Sequence, residues 1–186
     1  HSRRSDRMPL RTLLIALIGF SFIMAEISAG TWLPIALTNS GFSGAEAAAA
    51  FGWFWVAITV TRAFGGFVVD KLGRFQSIML SAILTAAGIS VFVFDSVIQM
   101  PYLGIALWGM GLALGFPMSV NSMSDDPTRS APRINMIITV VYISSILVGP
   151  VIGTIGQVFS IYAAFGVPLA LMLVSAFISP VTKKVS

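Results

Sequence analysis

Apolar residues are gathered into six long stretches along this chain, separated by short polar or charged breaks. A helix needs roughly 20 apolar residues, at about 1.5 Å each, to cross the hydrocarbon core of a membrane. The stretches run from Pro9 to Thr38, Ala45 to Val69, Phe75 to Phe94, Ile98 to Met123, Pro132 to Val158 and Ile161 to Ser179, and all six qualify. The expected fold is an all-α integral membrane protein: a basic segment over 1–8, a six-transmembrane-helix bundle over 9–180 and a short tail over 181–186. Local punctuation agrees with these boundaries. Ser43 with Glu46, and Ser96 with Gln99, have the capping-box spacing ahead of the second and fourth helices, and Ser130 with Pro132 suits the start of the fifth. Pro34, Pro117, Pro150 and Pro168 fall inside helices, where each removes a backbone hydrogen bond and is expected to bend its helix.

Composition agrees, since 56% of the residues are hydrophobic and only 10% charged, against about a quarter charged in soluble domains. The charges also separate by side. Arg3, Arg4, Arg7 and Arg11 precede the first helix, Lys71 and Arg74 join the second to the third, Arg129 and Arg133 join the fourth to the fifth, and Lys183 and Lys184 close the chain. The alternate connections, 39–44, 95–97 and 159–160, carry no Lys or Arg. By the positive-inside rule both termini lie in the cytoplasm. The net charge of +4 therefore needs no nucleic-acid partner. With no cysteine, and the one histidine at position 1, disulfide, thiolate and metal-ligand chemistry have no residues to work with, and no cofactor or metal site is expected. An intramembrane hydrolase would need a base that the helices do not supply. The apolar start is too long for a cleaved signal peptide, so the first helix is expected to be retained.

Polar residues are distributed unevenly among the helices. The third offers only small hydroxyls such as Ser81 and Thr85, and the sixth essentially Ser175, so both are expected to be lipid-facing or peripheral. On the fifth, Asn135, Thr139, Tyr142, Gly149, Gly153, Gly156 and Gln157 share one sector along the whole length, as the lining of a pathway would. The fourth has small residues at Gly104, Gly111, Gly115 and Ser122, read first as close helix packing. Asn121 near its end is a candidate for facing an aqueous cavity.

Two charges fall at membrane depth, where charge is costly and marks function by default. Glu26 lies roughly 20 Å along the first helix and shares a face with Gly19 and Gly30. A carboxyl there suits proton coupling or binding of a cationic substrate; the alternative is a protonated glutamate making one interhelical hydrogen bond. Arg62 is about 10 Å from the end of the second helix, within reach of the interface by snorkelling, and is expected to be structural, with Asp70 two turns on as a partner. A direct Glu26 to Arg62 pair is not expected, because their depths differ by roughly 10 Å. Trp32, Trp53, Trp55 and Trp108 can stack on a ring-shaped ligand, although Trp53 reads more simply as an interface anchor.

Between the second and third helices the chain reads Gly66-Phe67-Val68-Val69-Asp70-Lys71-Leu72-Gly73-Arg74. This pattern, G-x-x-x-D-[R/K]-x-G-R, resembles the loop motif of the major facilitator superfamily, although Phe75 and Gln76 stand where that family usually continues with basic residues. Gly149-Pro150-Val151-Ile152-Gly153 resembles the G-P-x-x-G element of the family's fifth helices. The fourth helix, with Gly109, Gly111, Gly115 and Pro117, is similar to its counterpart there. The resemblance implies a latch for one conformation, formed by Gly66, Asp70, Lys71, Gly73 and Arg74 with Arg62. In it Gly66 permits helix approach, Gly73 a tight turn, and Asp70 meets a helix N-terminus or an arginine.

The resemblance further implies two six-helix halves with solute bound between them near the midplane. This chain supplies one half, and its basic start and short tail resemble those of a C-terminal half. The expected function is transport of a small solute by alternating access, with or without proton coupling, in a plasma or bacterial inner membrane. Glu26 is expected to bind or couple, and Asn121, Asn135, Tyr142 and Gln157 to line the pathway. The partner is an N-terminal half or, alternatively, a second copy in a homodimer. A structural or regulatory protein that kept the fold without transport is a third reading.

Overall fold

The structure, a computed structural model, describes residues 10–94, 101–125 and 130–183. Six helices of membrane-spanning length and apolarity make it up: α1 (Leu10–Asn39), α2 (Gly44–Leu72), α3 (Arg74–Val93), α4 (Pro101–Met123), α5 (Ser130–Val158) and α6 (Ile161–Thr182). Their bounds match the six apolar stretches closely, and no strand occurs among the described residues. The chain is therefore a multi-pass integral membrane protein. The capping box ahead of α2 forms as expected. The Glu46 amide donates to Ser43 Oγ at 3.3 Å, and the Ser43 amide donates to Glu46 Oε2 at 2.8 Å. The Ser96 and Gln99 pair lies outside the described residues.

α6 departs from a continuous span. It is interrupted at Phe165, so that Gly166 to Ile178 is a separate helix ending in a 3-10 turn over Ser179–Thr182. Pro168 then sits in the first turn of that helix, where a missing amide costs little, and not in an interior where it would bend the span.

α4 occupies the centre, packed on α3, α2 and α1 in turn. Its glycines explain why. A Cβ at Gly111 would lie 2.3 Å from the Thr85 amide nitrogen of α3, and one at Gly88 on α3 would lie 2.2 Å from the Trp108 amide nitrogen of α4. The two backbones touch, which no larger side chain permits. On other faces of α4, Gly109 meets the Phe54 carbonyl of α2 and Gly115 meets the Phe22 ring of α1. Around these contacts lies an aromatic core in which Trp108 is fully buried among Phe54, Phe92 and Phe165. Trp108 is thus a core residue and cannot stack on a ligand, whereas Trp53 and Trp55 remain exposed.

α3 also differs from its expected peripheral role. Its hydroxyls Ser81 and Thr85 are buried against α4, with Thr85 donating back to its own helix at the Ser81 carbonyl, so small size is what those positions contribute. Only its outer face, with Leu80 and Ile83, is left for lipid.

Because the α3–α4 contact is made through backbone, enlarging it should be costly. Gly111→Ala or Gly88→Ala is expected to lower stability by about 1–3 kcal/mol through overpacking. Gly30→Ala, where nothing lies within 4 Å, should stay within about 0.5 kcal/mol. Thermal melts in detergent compare the three.

Candidate functional site

The ends of α1, α3, α4 and α6 that carry the basic residues are drawn together by one carboxylate. Gly73, at φ +80°, makes the sharp turn between α2 and α3 and places Arg74 at the first position of α3. Arg74 then grips Asp125, just past the end of α4, in a two-pronged pair with Nη1 and Nη2 each 2.7 Å from a carboxylate oxygen. Arg11 of α1 adds a third contact at 2.8 Å. The same arginines turn their Nε atoms to the end of α6, Arg74 onto the Thr182 carbonyl at 2.8 Å and Arg11 onto that of Val181 at 3.0 Å. Hydrogen bonds from Arg74, joined by those from Arg11, hold the Asp125 carboxyl below the usual range. An open cavity of about 620 Å³ lies here, lined by Gly73, Phe75, Asn121, Ser124 and Lys183 along with the Arg74 and Asp125 pair.

Asp125 was missing from the expected site residues. Its signal was an acidic pair, Asp125 and Asp126, in a connection otherwise marked by arginine. The expected latch members divide around it. Arg74 and Gly73 take part directly. Asp70 is exposed and makes no ion pair among the described residues, and Lys71 sits over the Phe67 ring at 4.3 Å. Gly66 faces away from the bundle with nothing within 4 Å of a Cβ; the close approach belongs to Gly65, against Leu114 of α4. One residue is about 100° around a helix, enough to exchange the inner face for the outer.

The second group of polar atoms is deeper. Arg62 of α2 brings Nη2 within 3.7 Å of Glu26 Oε2 on α1, and its Nε donates to the Ala113 carbonyl of α4 at 3.2 Å. This overturns the expectation that Glu26 and Arg62 stay apart, that Arg62 snorkels, and that it pairs with Asp70. Helical side chains lean toward the N-terminus of their own helix. α1 and α2 run in opposite directions, so Glu26 leans toward the basic end while Arg62 leans away from it. The two converge across a depth difference of about 9 Å, and Asp70 is left behind.

Comparison with known proteins now decides the family. The model of the Major Facilitator Superfamily matches residues 15–185. The chain belongs to the major facilitator superfamily. It is 29% identical over 174 residues to an uncharacterized MFS-type transporter of Yersinia pestis, covering 92% of this chain and 45% of that protein. The chain thus spans about half the length of this curated relative. Among solved structures, the major facilitator transporter FucP in its outward conformation superposes with a TM-score of 0.84 at 15% identity, over 98% of this chain and 44% of FucP. The POT family transporter PepTSo gives 0.80 at 18% identity, over 94% and 37%. These likenesses concern the fold. The family is one of transporters, which sets catalysis aside.

Within this major facilitator bundle the α5 residues Asn135, Thr139, Tyr142 and Gln157 are all exposed, whereas Gly153 of the same sector lies against Trp32 of α1. Asn121 does not join them or Glu26; it lies at the basic end beside Arg74 and Asp125. The sites are thus two: a charged clasp at the basic end and an ion pair at depth.

The clasp has a pH signature. A carboxyl held low stabilises the fold above the unfolded value, about 3.9 for Asp, and that contribution is lost as pH falls through the lowered folded value. Melting temperature should therefore drop on acidification below about pH 4 more in the native protein than in Asp125→Asn. The variant should also lose about 1–3 kcal/mol at neutral pH, with two arginines deprived of their acceptor.

Proposed function

We propose that this chain forms one six-helix half of a secondary transporter that carries a small solute by alternating access. The observation that carries the reading is the uncovered face of α2 and α5. In their most apolar 18-residue stretches only 22% and 28% of residues are buried, against 56%, 50% and 50% in those of α1, α3 and α4. α6 is nearly as open, yet its exposed residues are Leu173, Val174 and Phe177, which suit lipid. α5 and α2 expose apolar side chains as well, Ile146 and Phe64 among them, but α5 also exposes Asn135, Thr139, Tyr142 and Gln157, and α2 exposes Thr59 and Arg62. Polar groups facing hydrocarbon would be costly, so this face is read as turned toward a water-filled path and a second six-helix half. That half is the N-terminal half of a longer chain or a second copy. The relative's length supports the first arrangement.

The solute then lies between the halves near the midplane, within reach of Glu26, Arg62 and Tyr142. Glu26 is the residue to bind a cationic group or carry a proton. Asn135 and Gln157 line the path toward either end. Gly73 and Arg74 form the latch with Asp125 and Arg11, and the exposed Asp70 and Lys71 are left to engage the second half, facing a cytoplasm that holds both termini, in a plasma or bacterial inner membrane.

Two substitutions test these roles. Glu26→Gln should fold normally and leave proteoliposome uptake no longer responsive to an imposed pH gradient; uptake with an unaltered gradient dependence removes the coupling role. Asp70→Asn should change which side of the membrane admits a cysteine label in the pathway. Identical labelling from both sides in variant and native protein would count against Asp70 engaging the second half.

A further inference from the structure

Pro117 stands inside α4, six residues before its end. Proline has no amide hydrogen, so the carbonyl four residues earlier, that of Ala113, loses its helical donor and is pushed aside by the ring. Ala113 is fully buried, so water does not replace that donor and the carbonyl is left to be satisfied by protein. The atom that meets it is Arg62 Nε, at 3.2 Å. The placement is consistent, because Ala113 and Arg62 each lie ten residues, about 15 Å, before the end of their helices. From the same guanidinium, Nη2 stands 3.7 Å from Glu26, close enough for ion pairing but longer than a hydrogen bond. The firmer hold is therefore on the α4 backbone.

We propose that Arg62 is a positioning residue, whose guanidinium stands in for the amide that Pro117 lacks and so governs how freely α4 bends at that break. The surroundings make the break a natural hinge. Immediately before it α4 is pinned, with Leu114 packed on Gly65 of α2 and Gly115 on Phe22 of α1. Beyond it, Pro117 is exposed, and the last turns, packed through Met123 on Ile15 and Ala16 of α1 and Ile137 of α5, lead to Asp125 in the grip of Arg74 and Arg11. The end of α4 is thus tied by one arginine at the break, by packing on α1 and α5, and by two arginines at its tip. Because the arginine at the break also faces Glu26, whatever neutralises or occupies that carboxylate is felt by α4. A lysine would preserve the charge opposite Glu26 but lacks the planar fork that serves a carbonyl and a carboxylate together. This inference goes beyond the transport reading and holds whether or not Glu26 carries a proton.

The test is hydrogen exchange over residues 113–121, read by mass spectrometry on the full-length protein in nanodiscs, in native, Arg62→Lys, Pro117→Ala and doubly substituted forms. Arg62→Lys should speed exchange in this segment by roughly tenfold or more, the scale of one charge-assisted hydrogen bond. Pro117→Ala restores an amide to the Ala113 carbonyl, so adding Arg62→Lys to it should change exchange there by less than about twofold. An equal acceleration in both backgrounds, or none in either, overturns the proposal. Should Arg62→Lys alone be too unstable to purify, melting temperatures decide: the double variant must recover most of the loss, and a double variant as unstable as Arg62→Lys overturns it as well.

Discussion

Backbone contact between α3 and α4 is the constraint on which the other packing depends. In lipid there is no hydrophobic gain from bringing two apolar helices together, so cohesion must come from close van der Waals fit and from polar links. Gly88, Gly104 and Gly111 provide that fit by bringing amide and carbonyl groups of one helix within contact of the other. With α3 on one side, α4 offers Gly109 to α2 and Gly115 to α1, and it becomes the post around which three helices are set. The charged groups are then hung on positions around α4: Glu26 and Arg62 beside its middle, Asp125 at its end.

The charged groups divide by depth and do different physical work. At the basic end, one aspartate accepts from two arginines that also cap α6 carbonyls, in a partly exposed setting where a broken link can be replaced by water. Such a clasp can open and close at modest cost. At depth, Glu26 and Arg62 stand 3.7 Å apart with the Arg62 side chain 45% exposed on the α2 face read as lining the path, so a member left alone there depends on what fills that path. In the proposed cycle the first serves as a latch, and the second responds to whatever binds between the halves.

The exposure of α2 and α5 carries the same logic to the scale of the whole half. An isolated six-helix bundle of this shape leaves polar positions of α5 uncovered, and a membrane does not tolerate that face against lipid. In the proposed arrangement a second bundle covers it. The likeness to FucP and PepTSo, each more than twice the length that this chain matches, agrees with a half-sized unit of a larger fold.

Helix number, helix limits, membrane insertion and family membership were legible in the sequence, because hydropathy and the Gly73-Arg74 turn motif act locally or through the membrane itself. The packing role of the α4 glycines and the exposure of Asn135, Thr139, Tyr142 and Gln157 on one side of α5 were legible too, since both follow from helical period. What the linear chain withheld was partnership. Asp125 looked like one loop acid among others until the turn at Gly73 aimed Arg74 at it. Gly66 and Gly65 exchanged roles because their difference is one of helical phase relative to a neighbour. Glu26 and Arg62 were judged too far apart in depth, when the opposed lean of side chains on antiparallel helices closes that distance. Sequence determined which segments cross the membrane and which residues are costly there; only tertiary structure decided which costly residues meet, because that depends on helix direction and rotation together.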